Sequence, residues 1–219
     1  MLTKPIPAWI LGGGALLAAS AGCINVVGFL GAQHQAISHV TGTVSMLALE
    51  IAQSNWFLAA HAGAVFGAFF IGCILSGLII RHPALQSGPP YGAALTLESV
   101  LLAGAVYFLR HQIVLGSYLA AMACGLQNAM ATTYSGAVIR TTHVTGIVTD
   151  LGIALGQIAR RERVDRRRMG LYLVLLTAFF LGGVGGAVGF QFLNHNVLLI
   201  PSALTGLAGI GYFLTTRKS

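Results

Sequence analysis

Runs of about twenty apolar residues recur six times along the chain, near 8–30, 56–80, 91–110, 113–133, 169–191 and 196–215. At 1.5 Å of rise per residue such a run crosses a hydrocarbon core of roughly 30 Å. Two shorter runs lie near 41–53 and 144–159. Only 8% of the 219 residues are charged, against roughly 25% in soluble domains, so the expected fold is an all-α polytopic membrane protein rather than a water-soluble enzyme. The 29 glycines, costly in soluble helices, suit helices that must approach closely in lipid.

A self-comparison restricts the architecture further. Ala21-Gly-Cys-Ile-Asn25 matches Cys124-Gly-Leu-Gln-Asn128, and His39-Val-Thr-Gly-Thr-Val-Ser45 matches His143-Val-Thr-Gly-Ile-Val-Thr149. Ala68-Phe-Phe-Ile-Gly72 then matches Ala178-Phe-Phe-Leu-Gly182, and Ala103-Gly-Ala-Val-Tyr-Phe-Leu109 matches Ala208-Gly-Ile-Gly-Tyr-Phe-Leu214. The four matches keep their order at offsets of 103, 104, 110 and 105. A single transmembrane domain over 1–219 is therefore expected, with one repeat over about 8–110 and a second over about 111–216. Each repeat is a long helix, a short helix and two more long helices.

The short elements decide the topology. Eight full crossings make the repeats parallel, whereas six crossings plus two half-helices make them inverted. Overall Lys and Arg counts do not separate these alternatives, but equivalent loops do. Segments 31–40 and 54–55 carry no Lys or Arg, while their partners carry Arg140 and the cluster at 160–168; Arg81 has no basic partner near Asn194, and Arg110 dissents. Opposite basic bias at equivalent positions favours inversion, with both termini on the cytoplasmic face of a bacterial inner membrane. The stretch after Lys4, ending Ala-Ala-Ser-Ala-Gly, resembles a cleavable signal, but cleavage would remove part of the first repeat. The six arginines at 160–168 read as an anchor on anionic lipid, not as a nucleic-acid surface.

Candidate site residues follow from the half-helices. A helix of 13 residues covers only roughly 20 Å, so its N-terminus should stand inside the bilayer. First-turn N–H groups, with Thr41, Gly42 and Thr43 in one repeat and Thr145 and Gly146 in the other, could hold an anionic or polar solute; plain capping by Thr beside Gly is the alternative. His39 and His143 precede these helices and are the histidines retained in both repeats, suited to proton relay or solute binding. Asn25 and Asn128 should find partners across helices. Of the carboxylates in or near apolar runs, Glu50, Glu98 and Asp150, the best pathway candidate is Asp150 in the early turns of its short helix. The cysteines lack metal or disulfide spacing and no catalytic constellation is recognisable, so neither metal, cofactor nor enzymatic activity is expected.

With Ala21-Gly, the His39-Val-Thr-Gly block, Gly125-Leu-Gln-Asn128 and the Arg140-Thr-Thr-His-Val-Thr-Gly146 block quoted, the chain resembles the YoaK-type family of bacterial membrane proteins of unknown function over nearly its whole length. The resemblance implies location and architecture more than chemistry. It also implies an acidic residue where Asn25 stands and an Asn where Thr43 stands, and the chain departs at both. The function expected is a small secondary transporter or facilitator for a small polar or anionic solute, homo-oligomeric assembly being open to it. The alternative is a non-transporting membrane scaffold or accessory subunit.

Overall fold

The computed structural model describes residues 8–31, 37–80, 89–135 and 139–216. Lys4, Arg81 and Pro83 lie outside them. Among the described residues the chain forms eight α-helices: α1 (Ala8–Leu30), α2 (Val40–Ala52), α3 (Trp56–Ile79), α4 (Pro89–Arg110), α5 (Leu115–Tyr134), α6 (Val144–Ala159), α7 (Arg166–Leu193) and α8 (Leu199–Thr216). A 3-10 turn over Asn194–Leu198 joins the last two.

Local chemistry sets these limits. α7 begins three residues before the apolar run because the Asp165 carboxylate accepts from the Arg167 and Arg168 N–H groups at 3.1 and 3.2 Å, supplying a cap. α2 and α6 end in the same way: Ser54 and Arg161 adopt positive φ of 60° and 61°, and the next N–H returns to the Glu50 or Gln157 carbonyl. Both closures carry a side chain where glycine is usual.

Four segments have the length and hydropathy to cross a membrane: Leu11–Leu30, Trp56–Ile79, Pro89–Arg110 and Arg166–Leu214, the last spanning both α7 and α8. α5 is absent from this set because Ser117, Gln127, Asn128, Thr132 and Thr133 dilute its apolar character. It is instead the central helix, buried from Gly116 to Ala131 by α1, α3 and α4. Outward faces are apolar, with Phe57, Phe70, Phe180, Phe192 and Leu207 more than half exposed; a surface of this kind is suited to lipid.

Packing runs across the two halves of the chain. α1 lies against α7, α3 against α5 and α4 against α8. Gly22 faces the Phe179 backbone and Gly182 that of Ala19, and since Gly14 meets Leu175 while Cys23 meets Gly186, α1 and α7 are parallel; Gly72 faces Met122 and Gly125 faces Phe69, and since His61 meets Tyr118 while Cys73 donates to the Gly125 carbonyl, α3 and α5 are parallel too. The four glycines belong to two of the sequence matches, and both crossings use one from each. At all four a Cβ would overlap opposing main chain, so only glycine permits the approach. α1 and α5 run antiparallel. Leu17 meets Met130 and Tyr134 at one end of the pair, and Val27 and Gly28 meet Ser117 at the other.

Candidate functional site

The two short helices each lean on one long neighbour, α2 on α3 and α6 on α7. Leu47 approaches Gly63 and Asn55 donates to the Glu50 carboxylate at 2.9 Å, which makes α2 and α3 an antiparallel hairpin. With 13 residues against 24, α2 covers about half of α3, so its N-terminus stands level with the middle of that helix. α6 repeats the arrangement on α7, where Asp150 meets Arg168 and Ile147 packs with Leu171 and Leu175.

What holds these inner ends is an asparagine on a long helix. The Asn25 side-chain oxygen accepts from the Ser38 N–H at 3.1 Å and from its hydroxyl at 3.0 Å. The Asn128 oxygen accepts from the Thr142 N–H at 3.5 Å. Both asparagines stand three residues beyond the crossing glycines Gly22 and Gly125, about 4.5 Å along the helix. Each therefore tethers the chain before a short helix at the depth where the long helices cross.

The Thr-Gly blocks have a local explanation as well. His39 and His143 occupy the N-cap positions, and neither side chain caps its helix. Both rings fold over the first turn instead. A methyl on Gly42 would lie 2.5 Å from the His39 Nδ1, and one on Gly146 would enter the His143 ring. The spacing of His to Gly thus makes room for the helix's own histidine. Thr43 is buried with its hydroxyl donating to the His39 carbonyl at 3.2 Å. Thr41 and Thr145 are exposed, and their carbonyls accept from the Ser45 and Thr149 hydroxyls.

The structure does not pack the two Thr-Gly helices on one another: the principal neighbour of α2 is α3 and that of α6 is α7. The segments that lead into them line different recesses. One, of about 120 Å³, is lined by Leu17 of α1, Tyr91 of α4, Met130 and Tyr134 of α5, Ile139 before α6, and Tyr212 of α8. The other, of about 30 Å³, is lined by Val27 of α1, Ile37 before α2, Leu109 of α4, Ser117 of α5 and His195. Exchanging α1 with α5 carries most of one lining onto the other, with Leu109 of α4 answering Tyr212 and His195 of the 3-10 turn answering Tyr91. They open at opposite ends of the α1 and α5 pair, the larger beside the start of α7 and the basic loop.

Asp150, expected on a pathway, is tied to Arg168 at 3.2 Å, and the Arg168 Nε donates to the Tyr172 hydroxyl at 2.7 Å. With Arg140, His143 and Gly146 these residues line a polar recess of about 220 Å³ between α6 and α7. Both members of the ion pair are about half exposed, so it contributes at most about 1 kcal/mol. Among the described residues no three His, Cys, Asp or Glu side chains cluster to hold a metal.

Glu98, one of the three carboxylates in or near apolar runs, and Gln127, which the sequence reading did not single out, have stronger claims than Asp150. Glu98 is fully buried on α4 and neither carboxyl oxygen has a hydrogen-bond partner. Gln127 is fully buried on α5; its Nε2 donates to the Leu17 carbonyl while its Oε1 has no partner. Glu98 continues the buried stripe Tyr91, Leu95, Leu102 at helical spacing, a pattern legible in the sequence.

A sequence profile described as "Protein of unknown function (DUF1275)" matches residues 13–211. No curated protein and no solved structure matches the chain.

Proposed function

The chain belongs to the DUF1275 family of proteins of unknown function, and from that premise, which assigns no activity, we propose that it is a small secondary transporter or facilitator of the bacterial cytoplasmic membrane. In this reading two inverted repeats supply six crossings, α2 and α6 are half-helices, and the 160–168 loop is cytoplasmic, on anionic lipid. The antiparallel course of α1 and α5 supports inversion, because these are the first helices of the two repeats.

One observation carries the proposal. Two recesses related by repeat exchange have unequal volumes, about 120 and 30 Å³. Alternating access asks for such a pair: whichever side is open, the matched side is closed, and the two arrangements are close in energy because the repeats can exchange roles. Ile139 and Ile37, one per recess, lead into the half-helices, and the first turn of α6 opens on the polar recess with Arg140, where its N–H groups favour a polar or anionic group. Tyr91, Tyr134 and Tyr212 add phenol rings to the wider recess, so the solute class favoured is a small acid with an apolar body. The mainly hydrocarbon lining is also what favours the alternative, a scaffold whose recess seats another apolar chain.

The test is flux into proteoliposomes of inorganic sulfate, amino acids, short aliphatic acids and phenolic acids. It is run beside thiol labelling of Ala131→Cys and Gly28→Cys in a background without Cys23, Cys73 and Cys124. Ala131→Cys should react from the face bearing the basic loop and Gly28→Cys should not react from the other, and a transported acid should shift that balance. Fixed labelling with no flux of any class would remove the transporter reading.

A further inference from the structure

Glu98 is the buried ionisable group that neither the half-helices nor the recesses put to use. It sits tenth in the 22-residue α4, near mid-depth, with no exposed surface and both oxygens unpartnered. Its surroundings offer no positive charge. α1, α3, α5 and α8 contain no Lys or Arg among the described residues, and Arg110 lies three turns away at the exposed end of α4. Other titratable groups on the elements around it are Tyr118, Cys124 and Tyr134 on α5, Cys23 on α1, His61 and Cys73 on α3, Tyr91 and Tyr107 on α4 itself, Tyr212 on α8 and His195 in the 3-10 turn. Cys73 is held by the Gly125 carbonyl.

A bare carboxylate in such surroundings is too costly to persist, so the group must have an occupant. A metal cation would ask for several oxygen ligands. Here α4 and α5 run antiparallel with Gly116 against Ala105 and Gly104 against Leu119, which sets Glu98 level with Cys124 and Gln127. That level of α5 supplies a thiol, hydrocarbon and one amide oxygen, while on α8 the buried Ser202 and Thr205 hydroxyls are engaged by the Ser99 and Pro201 carbonyls. A proton needs nothing further. Nor does packing demand an acid at this place, because the matched position in α8 is Ala203.

We propose that Glu98 is a proton-exchange site reached from the recess on the basic-loop face. Tyr91 and Leu95 line that recess, and Glu98 lies on the same stripe of α4 one turn, about 5 Å, deeper. The Tyr91 hydroxyl, also buried without a partner, stands on the recess side of the same stripe. On release the carboxyl O–H bond breaks and the proton joins a water in the recess; on uptake the step reverses, and no electron moves. The role of this exchange, coupling solute movement to a proton gradient, rests on the transporter reading; the site itself does not.

The experiment uses dicyclohexylcarbodiimide, an apolar reagent that adds to protonated carboxyls, on the full chain in sealed vesicles with either face outward. The peptide carrying 89–110 is weighed by mass spectrometry, with Glu98→Gln as the unlabelled control. Labelling should fall several-fold when the basic-loop face is made alkaline, and stay unchanged when only the opposite face is. Labelling indifferent to pH on both faces, or absent, would overturn the proposal by making Glu98 a fixed neutral group. Suppression by sodium at constant pH would overturn it in favour of a cation. If labelling follows pH while no solute class moves, the proton site stands and the transporter reading falls.

Discussion

Replacing Gly125 by alanine places a methyl 2.8 Å from the Phe69 carbonyl carbon and 3.1 Å from its Cα, and nearer still to its oxygen. Carbon contacts settle at about 3.5–4.0 Å, so α3 and α5 must part by roughly 1 Å or more along the crossing. Neither side can yield cheaply, because the opposing atoms are helix main chain. Overpacking of this kind costs about 1–3 kcal/mol, while alanine returns at most about 1 kcal/mol of helix propensity. The expected net loss is about 1–2 kcal/mol. Gly22→Ala should cost the same at the matched crossing of α1 and α7, where the Phe179 carbonyl carbon is 2.9 Å from the added methyl. Pairing Gly22→Ala with Gly125→Ala should give additive losses, since the crossings are separate; pairing Gly72→Ala with Gly125→Ala should give less than the sum, since one separation relieves both clashes. Gly67→Ala, with nothing within 4 Å of its new methyl, is the neutral control. Reversible unfolding in mixed micelles measures each variant. If Gly125→Ala proved as stable as Gly67→Ala, the main-chain approach at the crossing would be refuted.

Three further outcomes are expected. A lone cysteine at Ser54, in a background without the native three, should react with an impermeant thiol reagent from the face opposite the basic loop; reaction from the basic-loop face alone would defeat the half-helix arrangement. Asn25→Ala leaves the buried Ser38 N–H and hydroxyl without their acceptor, which costs about 1–3 kcal/mol. Asn25→Asp, which keeps an acceptor, should lose less in the same unfolding assay. Gly42→Val and Gly146→Val should each displace a histidine ring, and their losses in the same unfolding measurement should add, because α2 and α6 do not pack together; a double variant no worse than either single would return the two ends to one shared site.

Much of this fold is legible in the sequence because hydropathy and repetition record it directly. The short runs at 41–53 and 144–159 stand as α2 and α6 almost residue for residue, and Asn25 and Asn128 find partners outside their own helices as polar groups in apolar runs must. Partnership is harder to read. Gly22 and Gly67 look alike in the sequence, yet one meets a neighbouring carbonyl and the other open space, a difference created by which helix lies opposite. Asp150, favoured for its place near a helix start, turns out to be tied to Arg168, eighteen residues on, across the α6 and α7 turn. Glu98 has the reverse history. A carboxylate in an apolar run is visible at once, but whether it reaches an interface or a counter-ion depends on α5 and α8, and the packing grants it neither.

The pairing of α1 with α7 also has a consequence for how the chain is made. Gly22 and Phe179 are 157 positions apart, so at roughly 5–20 residues per second α1 waits about 10–30 s after its own synthesis before its partner exists. α3, by contrast, meets α5 after about fifty residues. In a chain that inserts as proposed, the first helix therefore has no neighbour on its glycine face, and Gly14, Gly22 and Cys23 stay uncovered by α7 until that helix is made. A chain cut short in the basic loop leaves α1 without its glycine-face partner, however well α3, α4 and α5 have assembled by then.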